Sequence, residues 1–183
     1  VSAVSDQLAA DAQALTEAMR ATCADPADAI TILAAMVATA LPTLIVPSQV
    51  AAQQLTAATF RRAALASMAL ACADYQPASS TEAQAVIAQV AGLFDTDIVA
   101  AADAGQLDGY NALRNMRQAV IADLRARSAA LPALVTISLP GNLPSLTMAY
   151  RLYGDTTREP GMVSRADPIH PGFMPPSFEA LSA

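Results

Sequence analysis

The side chains with the greatest chemical reach are few and scattered. His170 is the only histidine, and it stands before Pro171 with no second His, Cys or acid at the spacing a metal site or a general base requires. Its expected role is a hydrogen-bonded turn residue. The acids fall singly over what reads as helix surface, and no nucleophile elbow, Walker loop, HExxH or dinucleotide glycine pattern occurs. Cys23 and Cys72 lie in Ala-rich surroundings without CxxC spacing, so they read as small buried thiols rather than a disulfide. Nothing in this inventory asks for a catalytic centre, a metal or a cofactor. Tyr150 and Tyr153 are three apart on a candidate helix and therefore share a face. They could anchor an interface, with core packing as the expected role of at least one. Arg151 and Arg165 have two candidate uses, a partner chain or an internal pairing with Asp155 or Glu159, and the internal pairing is the expectation.

The elements that position these residues follow from composition and pattern. The 183 residues are 54% hydrophobic but only 4% aromatic, without Trp, so the core must be built from Ala, Leu, Val, Ile and Met. Those residues suit close helix packing, and a mainly α fold of one domain or two small ones is expected. The net charge is -6 and all ten bases are Arg. Binding to a phosphate backbone ordinarily draws on a basic surplus, so nucleic-acid binding by this chain is disfavoured. No secretory signal opens the sequence, and a start at Val1 rather than Met reads as a piece lacking an N-terminal region.

Along the chain, Leu8, Ala12, Leu15, Met19 and Cys23 recur at helical intervals and predict a first amphipathic helix. Asp25 and Pro26 start a second, to about Leu41, and a third is expected from Ser48 to about Tyr75, after Pro42 and Pro47. The stretch from Ala29 to Phe60 carries no charge, but it is Ala- and Thr-rich and broken by proline. It is read as a core helix of a bundle rather than a membrane span. Ser79 followed by Glu82 has capping-box spacing, and the helix it starts is expected to reach Gly92 or, with a kink near Asp95, Ala104. Gly105 and Gly109 mark a turn. A fifth helix follows from Tyr110 to Ala130, with Leu113, Met116, Val120, Ile121 and Leu124 on one side. From Pro132 the period changes to two in ALVTISLP, and prolines and glycines crowd the remainder. A helical bundle domain over 1–131 and a small α+β module over 132–183 are therefore expected.

The module carries a resemblance. LPSLTMAYRLYGD (143–155) and SRADPIHPGFMPPSFEALS (164–182) resemble the C-terminal signature of the Mu-like phage DNA circularisation family of contractile-tail proteins. The TFRRAALASMALACADYQPASSTEAQAV stretch (59–86) is also similar to that family. The order of strand, Pro-Ser helix, second helical turn, Pro-rich loop and closing FEALS strand is similar to the β-α-α-β order of LysM modules. Here Ala166 replaces the Asn of the LysM Arg-Asn turn, with Asp167 and Pro168 after it.

The resemblance implies a non-enzymatic structural component of a tail baseplate or hub, from a phage or Mu-like prophage. Such a protein is assembled in the host bacterial cytoplasm and resides in the virion tail. Its partners would be other baseplate, hub or tape-measure proteins and, in the particle, copies of itself. Tyr150, Arg151, Tyr153, Arg165, His170 and Phe173 are the candidate interface. The alternatives are a peptidoglycan-binding LysM-type module and, from the family name, a protein that holds DNA ends.

Overall fold

The computed structural model describes residues 2–39 and 47–182. Among these, five helices come first: α1 (Ser2–Thr22), α2 (Pro26–Ala38), α3 (Pro47–Asp74), α4 (Ser80–Asp103) and α5 (Leu107–Ser128). A small α+β part follows, with β1 (Leu134–Ser138), α6 (Ser145–Tyr153), a 3-10 turn (Thr156–Arg158), α7 (Glu159–Ala166) and β2 (Ser177–Leu181). The fold is thus a mainly α bundle followed by a two-stranded sheet with intervening helices. It divides into two compact units, Val1–Gln76 with Gln84–Ala126, and Pro77–Ala83 with Arg127–Ala183.

In the first unit, helix starts follow local chemistry. Asp25 caps α2 by accepting a hydrogen bond from the Ala27 N–H at 2.9 Å, and Pro26, which has no N–H to satisfy, takes the first helical position. Pro47 likewise opens α3, whereas Pro42 lies outside the described residues. Ala29, Ile30, Leu33, Ala34 and Val37 of α2 share one buried core with Leu65 and Met68 of α3, Val90 and Phe94 of α4, and Leu113 and Leu124 of α5. Each large side chain so buried contributes roughly 1.5–3 kcal/mol. With 13 residues, α2 is a core helix too short to span a bilayer. Among the described residues, α4 is the one helix long and apolar enough to do so. Its Phe94 and Ala101 lie in the core, and its Asp97 is ion-paired to Arg61 of α3.

Two expectations are corrected, and a choice between two alternatives is resolved. The buried stripe of α1 runs through Ala12 and Thr16, while Leu15 is 49% exposed. Thr16 is drawn inward because its hydroxyl hydrogen-bonds to that of Ser67 on α3 at 2.9 Å, with Gln13 donating to the same oxygen. Of the two ends expected for the fourth helix the structure has the longer, since α4 runs from Ser80 to Asp103, past Gly92 and next to Ala104. Finally, Gly105, at φ 67°, makes the turn, and Gly109 belongs to the first turn of α5.

In the second unit, Ser79 and Glu82 form the expected cap. The Ser79 hydroxyl accepts from the Glu82 N–H at 3.1 Å, and the Glu82 carboxylate reaches back to the Ala78 N–H at 3.1 Å. The same turn is stitched to the sheet, since Ser80 N–H donates to the Pro132 carbonyl and the Thr81 hydroxyl accepts from Leu134 N–H, both at 3.0 Å. β1 and β2 pair antiparallel with Ile137 opposite Phe178 and Val135 opposite Ala180. Phe178 and Ala180 pack with Met148, Ala149, Met162 and Met174 in a separate small core. Thioethers fill such an irregular volume well.

Candidate functional site

The candidate interface residues gather on α6, α7 and the loop that leads into β2. α6 ends at Gly154 in the left-handed region, φ 66°, where its N–H closes on the Tyr150 carbonyl. Asp155 then caps the 3-10 turn. Its carboxylate accepts from both the N–H and the hydroxyl of Thr157 at 2.8 Å. These bonds, with help from the nearby Arg158, hold the Asp155 pKa below the ordinary aspartate value. The starts of α6 and α7 are tied by the Ser145 hydroxyl, which donates to the Glu159 carboxylate at 2.6 Å.

A further expectation is corrected here. Arg151 and Arg165 make no ion pair with Asp155 or Glu159 among the described residues; those carboxylates accept from Thr157 and Ser145 instead. Arg151 is exposed, and Arg165 is half-buried on α7. The two tyrosines separate. Tyr153 packs against the small core with the Arg158 guanidinium 5.1 Å above its ring, while Tyr150 is 66% exposed.

The Pro-rich loop is anchored rather than loose. α7 stops at Asp167, which adopts φ 40° and so supplies the left-handed residue that Asp and Asn tolerate better than most. The chain then folds back onto the entrance of α6. The Pro171 carbonyl accepts from Ser145 N–H at 2.8 Å, and Met174 N–H donates to the Leu143 carbonyl at 3.0 Å. His170 is a turn residue, its Nδ1 accepting from the Gly172 N–H at 2.9 Å and its carbonyl accepting from Phe173 N–H. A Cβ at position 172 would lie 3.0 Å from Nδ1 of that exposed ring, so the imidazole would have to shift to admit one.

This anchored loop leaves Phe173 69% exposed beside the His170 ring, with centroids 6.1 Å apart, and leaves Ile169 in solvent. Leu146 and Tyr150, one helical turn apart on α6, are exposed as well. Sequence reasoning missed Leu146 and Ile169. The only local signal for Leu146 was its four-residue spacing from Tyr150. Such a set of large apolar side chains can bury area against a partner. No three His, Cys, Asp or Glu side chains among the described residues gather as a metal site would require. No protein-family model matches the chain, and no curated protein matches it.

Proposed function

We propose that the chain is a structural component of a contractile phage or prophage tail, docking onto neighbouring baseplate, hub or tape-measure proteins through its C-terminal module. The observation that carries this reading is the exposure of Tyr150 and Phe173, with Leu146 and Ile169, on a module whose loop is fixed by backbone hydrogen bonds. A pre-ordered loop loses little conformational freedom on association, so aromatic anchors held this way favour binding. Arg151 lies beside Tyr150 in sequence and is exposed, as suits the polar rim of such an interface. Head-to-tail repetition of one contact would place several copies in a ring.

A second reading rests on the order of elements. Two antiparallel strands enclosing two helices match the β-α-α-β order of LysM modules, which would make peptidoglycan the ligand. Ala166 stands where that pattern has Asn, and the left-handed residue is Asp167 after it.

Site-specific photocrosslinking separates the two readings. A benzoylphenylalanine placed at Tyr150 or Phe173 in assembled particles is expected to give adducts with a tail protein. Adducts only with glycan strands, or none from either position, would overturn the assembly reading.

A further inference from the structure

β1 uses the hydrogen-bonding groups of only one of its two edges. Leu139 N–H donates to the Pro176 carbonyl at 2.7 Å and Ser182 N–H to the Ala133 carbonyl at 2.8 Å, which fixes the phase of the ladder. In an antiparallel pair, residues that exchange hydrogen bonds alternate with residues that turn their N–H and C=O away. With Leu134 opposite Leu181 and Ser138 opposite Ser177, Val135 and Ile137 are the residues bonded to β2. Leu134, Thr136 and Ser138 therefore point their backbone groups to the other side. The Leu134 N–H shows that direction, since it donates to the Thr81 hydroxyl at 3.0 Å. Thr136 and Ser138 have no backbone partner there among the described residues, and both are exposed.

A row of unused N–H and C=O groups is satisfied by another strand, and sheets commonly guard such an edge with charge or proline. β2 carries a guard. Its outward residues are Ser177, Glu179 and Leu181, so twofold pairing of two copies along that edge would set Glu179 against Glu179. β1, with the sequence LVTIS, holds neither charge nor proline. Two copies of β1 related by a twofold axis at Thr136 would place Thr136 opposite Thr136, Val135 opposite Ile137 and Leu134 opposite Ser138. Thr136 would then exchange N–H···O bonds with its counterpart in both directions, and each Ser138 N–H would reach a Leu134 carbonyl, while Leu134 N–H stays with Thr81. Val135 and Ile137 fall in the close positions of the new ladder, so Val135, 38% exposed, gains an apolar neighbour on the face that carries Phe178 and Ala180.

We infer that the open edge of β1 is a dimerisation edge, on which a second copy of this chain lays its own β1 antiparallel, centred on Thr136. The two-stranded sheet of each copy becomes half of a four-stranded one, past the size at which a sheet is marginal. A second copy is favoured as the occupant because every cross-strand position is then matched, β-branched on β-branched at the centre and no charge against charge. The contact is isologous and closes on itself. It uses none of Leu146, Tyr150, Ile169 and Phe173, so it does not rest on the assembly reading.

Sedimentation equilibrium of the full chain over a concentration series tests it, with Thr136→Glu and Thr136→Lys as variants. Thr136 is exposed and its N–H faces away from β2, so either change leaves the sheet paired, which a thermal melt verifies. Each variant alone opposes like charges across the axis and is expected to weaken the dimer about tenfold. An equimolar mixture of the two should restore it. Amide hydrogen exchange should show Thr136 and Ser138 protected in the dimer and open on dilution, with Val135 and Ile137 protected throughout. A chain that stays monomeric up to its solubility limit would overturn the proposal. So would a dimer indifferent to Thr136→Glu, a weakening that mixing does not relieve, or a Thr136 amide protected only when a tail protein is bound.

Discussion

Replacing Arg61 should destabilise the bundle far more than an ordinary surface substitution. Asp97 is 1% exposed, and its only described partner is Arg61, which donates to one carboxylate oxygen through Nη2 at 2.9 Å and Nε at 3.3 Å. The other carboxylate oxygen has no protein partner. Arg61→Met would keep the aliphatic packing of the stem and leave the carboxylate buried without a counter-charge. Breaking a buried pair from one side costs about 3–5 kcal/mol. The Arg61 side chain is 34% exposed, and solvent screening places the expected loss near the lower end, about 3 kcal/mol. At roughly 2–4 °C per kcal/mol for a chain of this size, the melting temperature should fall by about 6–12 °C. The double variant Arg61→Met/Asp97→Leu removes both charges and should recover most of that loss, because a buried ion pair exchanged for apolar packing is often close to neutral. Urea unfolding followed by circular dichroism measures both. A single variant within about 0.5 kcal/mol of the parent, the range of ordinary surface changes, would refute the assignment of Asp97 as a buried, Arg61-dependent carboxylate.

Other perturbations probe the second unit. Ser79→Ala removes the oxygen that accepts from Glu82 N–H and should cost about 1 kcal/mol in urea unfolding. Gly154→Ala introduces a Cβ that meets nothing within 4 Å, so its expected cost of about 1 kcal/mol comes from the left-handed backbone at φ 66° alone, and a melt of the variant measures it. The Asp155 carboxylate is held below its ordinary pKa by Thr157 and Arg158. A carboxylate depressed on folding stabilises the fold above its unfolded pKa, and that stabilisation is lost as pH falls through the folded value. Carbon-13 titration of Asp155 should therefore give a midpoint below that of a free aspartate. Thr157→Val, which keeps the N–H donor and loses the hydroxyl, should move the midpoint part of the way back up.

Local chemistry was legible where it acts over a few residues. Asp25 with Pro26, and Ser79 with Glu82, announced their helix starts because a cap is satisfied within a single turn. The alternation in LVTIS and the apolar stripe of α5 gave β1 and the buried Leu113, Val120 and Leu124. Pairings between distant residues left no such trace. Thr16 is not among the apolar positions that predict α1, and the partner that draws it inward, Ser67, lies 51 residues later. The Arg61–Asp97 pair spans 36 residues, and nothing in the period of either helix reports it. Arg151 and Arg165 were expected to find Asp155 and Glu159 because opposite charges lay close in sequence. Backbone N–H groups and hydroxyls were better placed to satisfy those carboxylates. At the candidate site, the exposed aromatics were named from sequence. The loop hydrogen bonds that fix them depend on the fold of residues 143–145 against 171–174.

Co-purification of the full chain with the products of the genes flanking its own tests the assembly reading most directly. It should be run alongside retention on insoluble peptidoglycan, for the parent and for Tyr150→Ser/Phe173→Ser. The account predicts a complex of defined stoichiometry with a tail protein, lost in the double variant while its melting temperature is unchanged. A chain that stays monomeric beside every tail neighbour but is retained on peptidoglycan would contradict it.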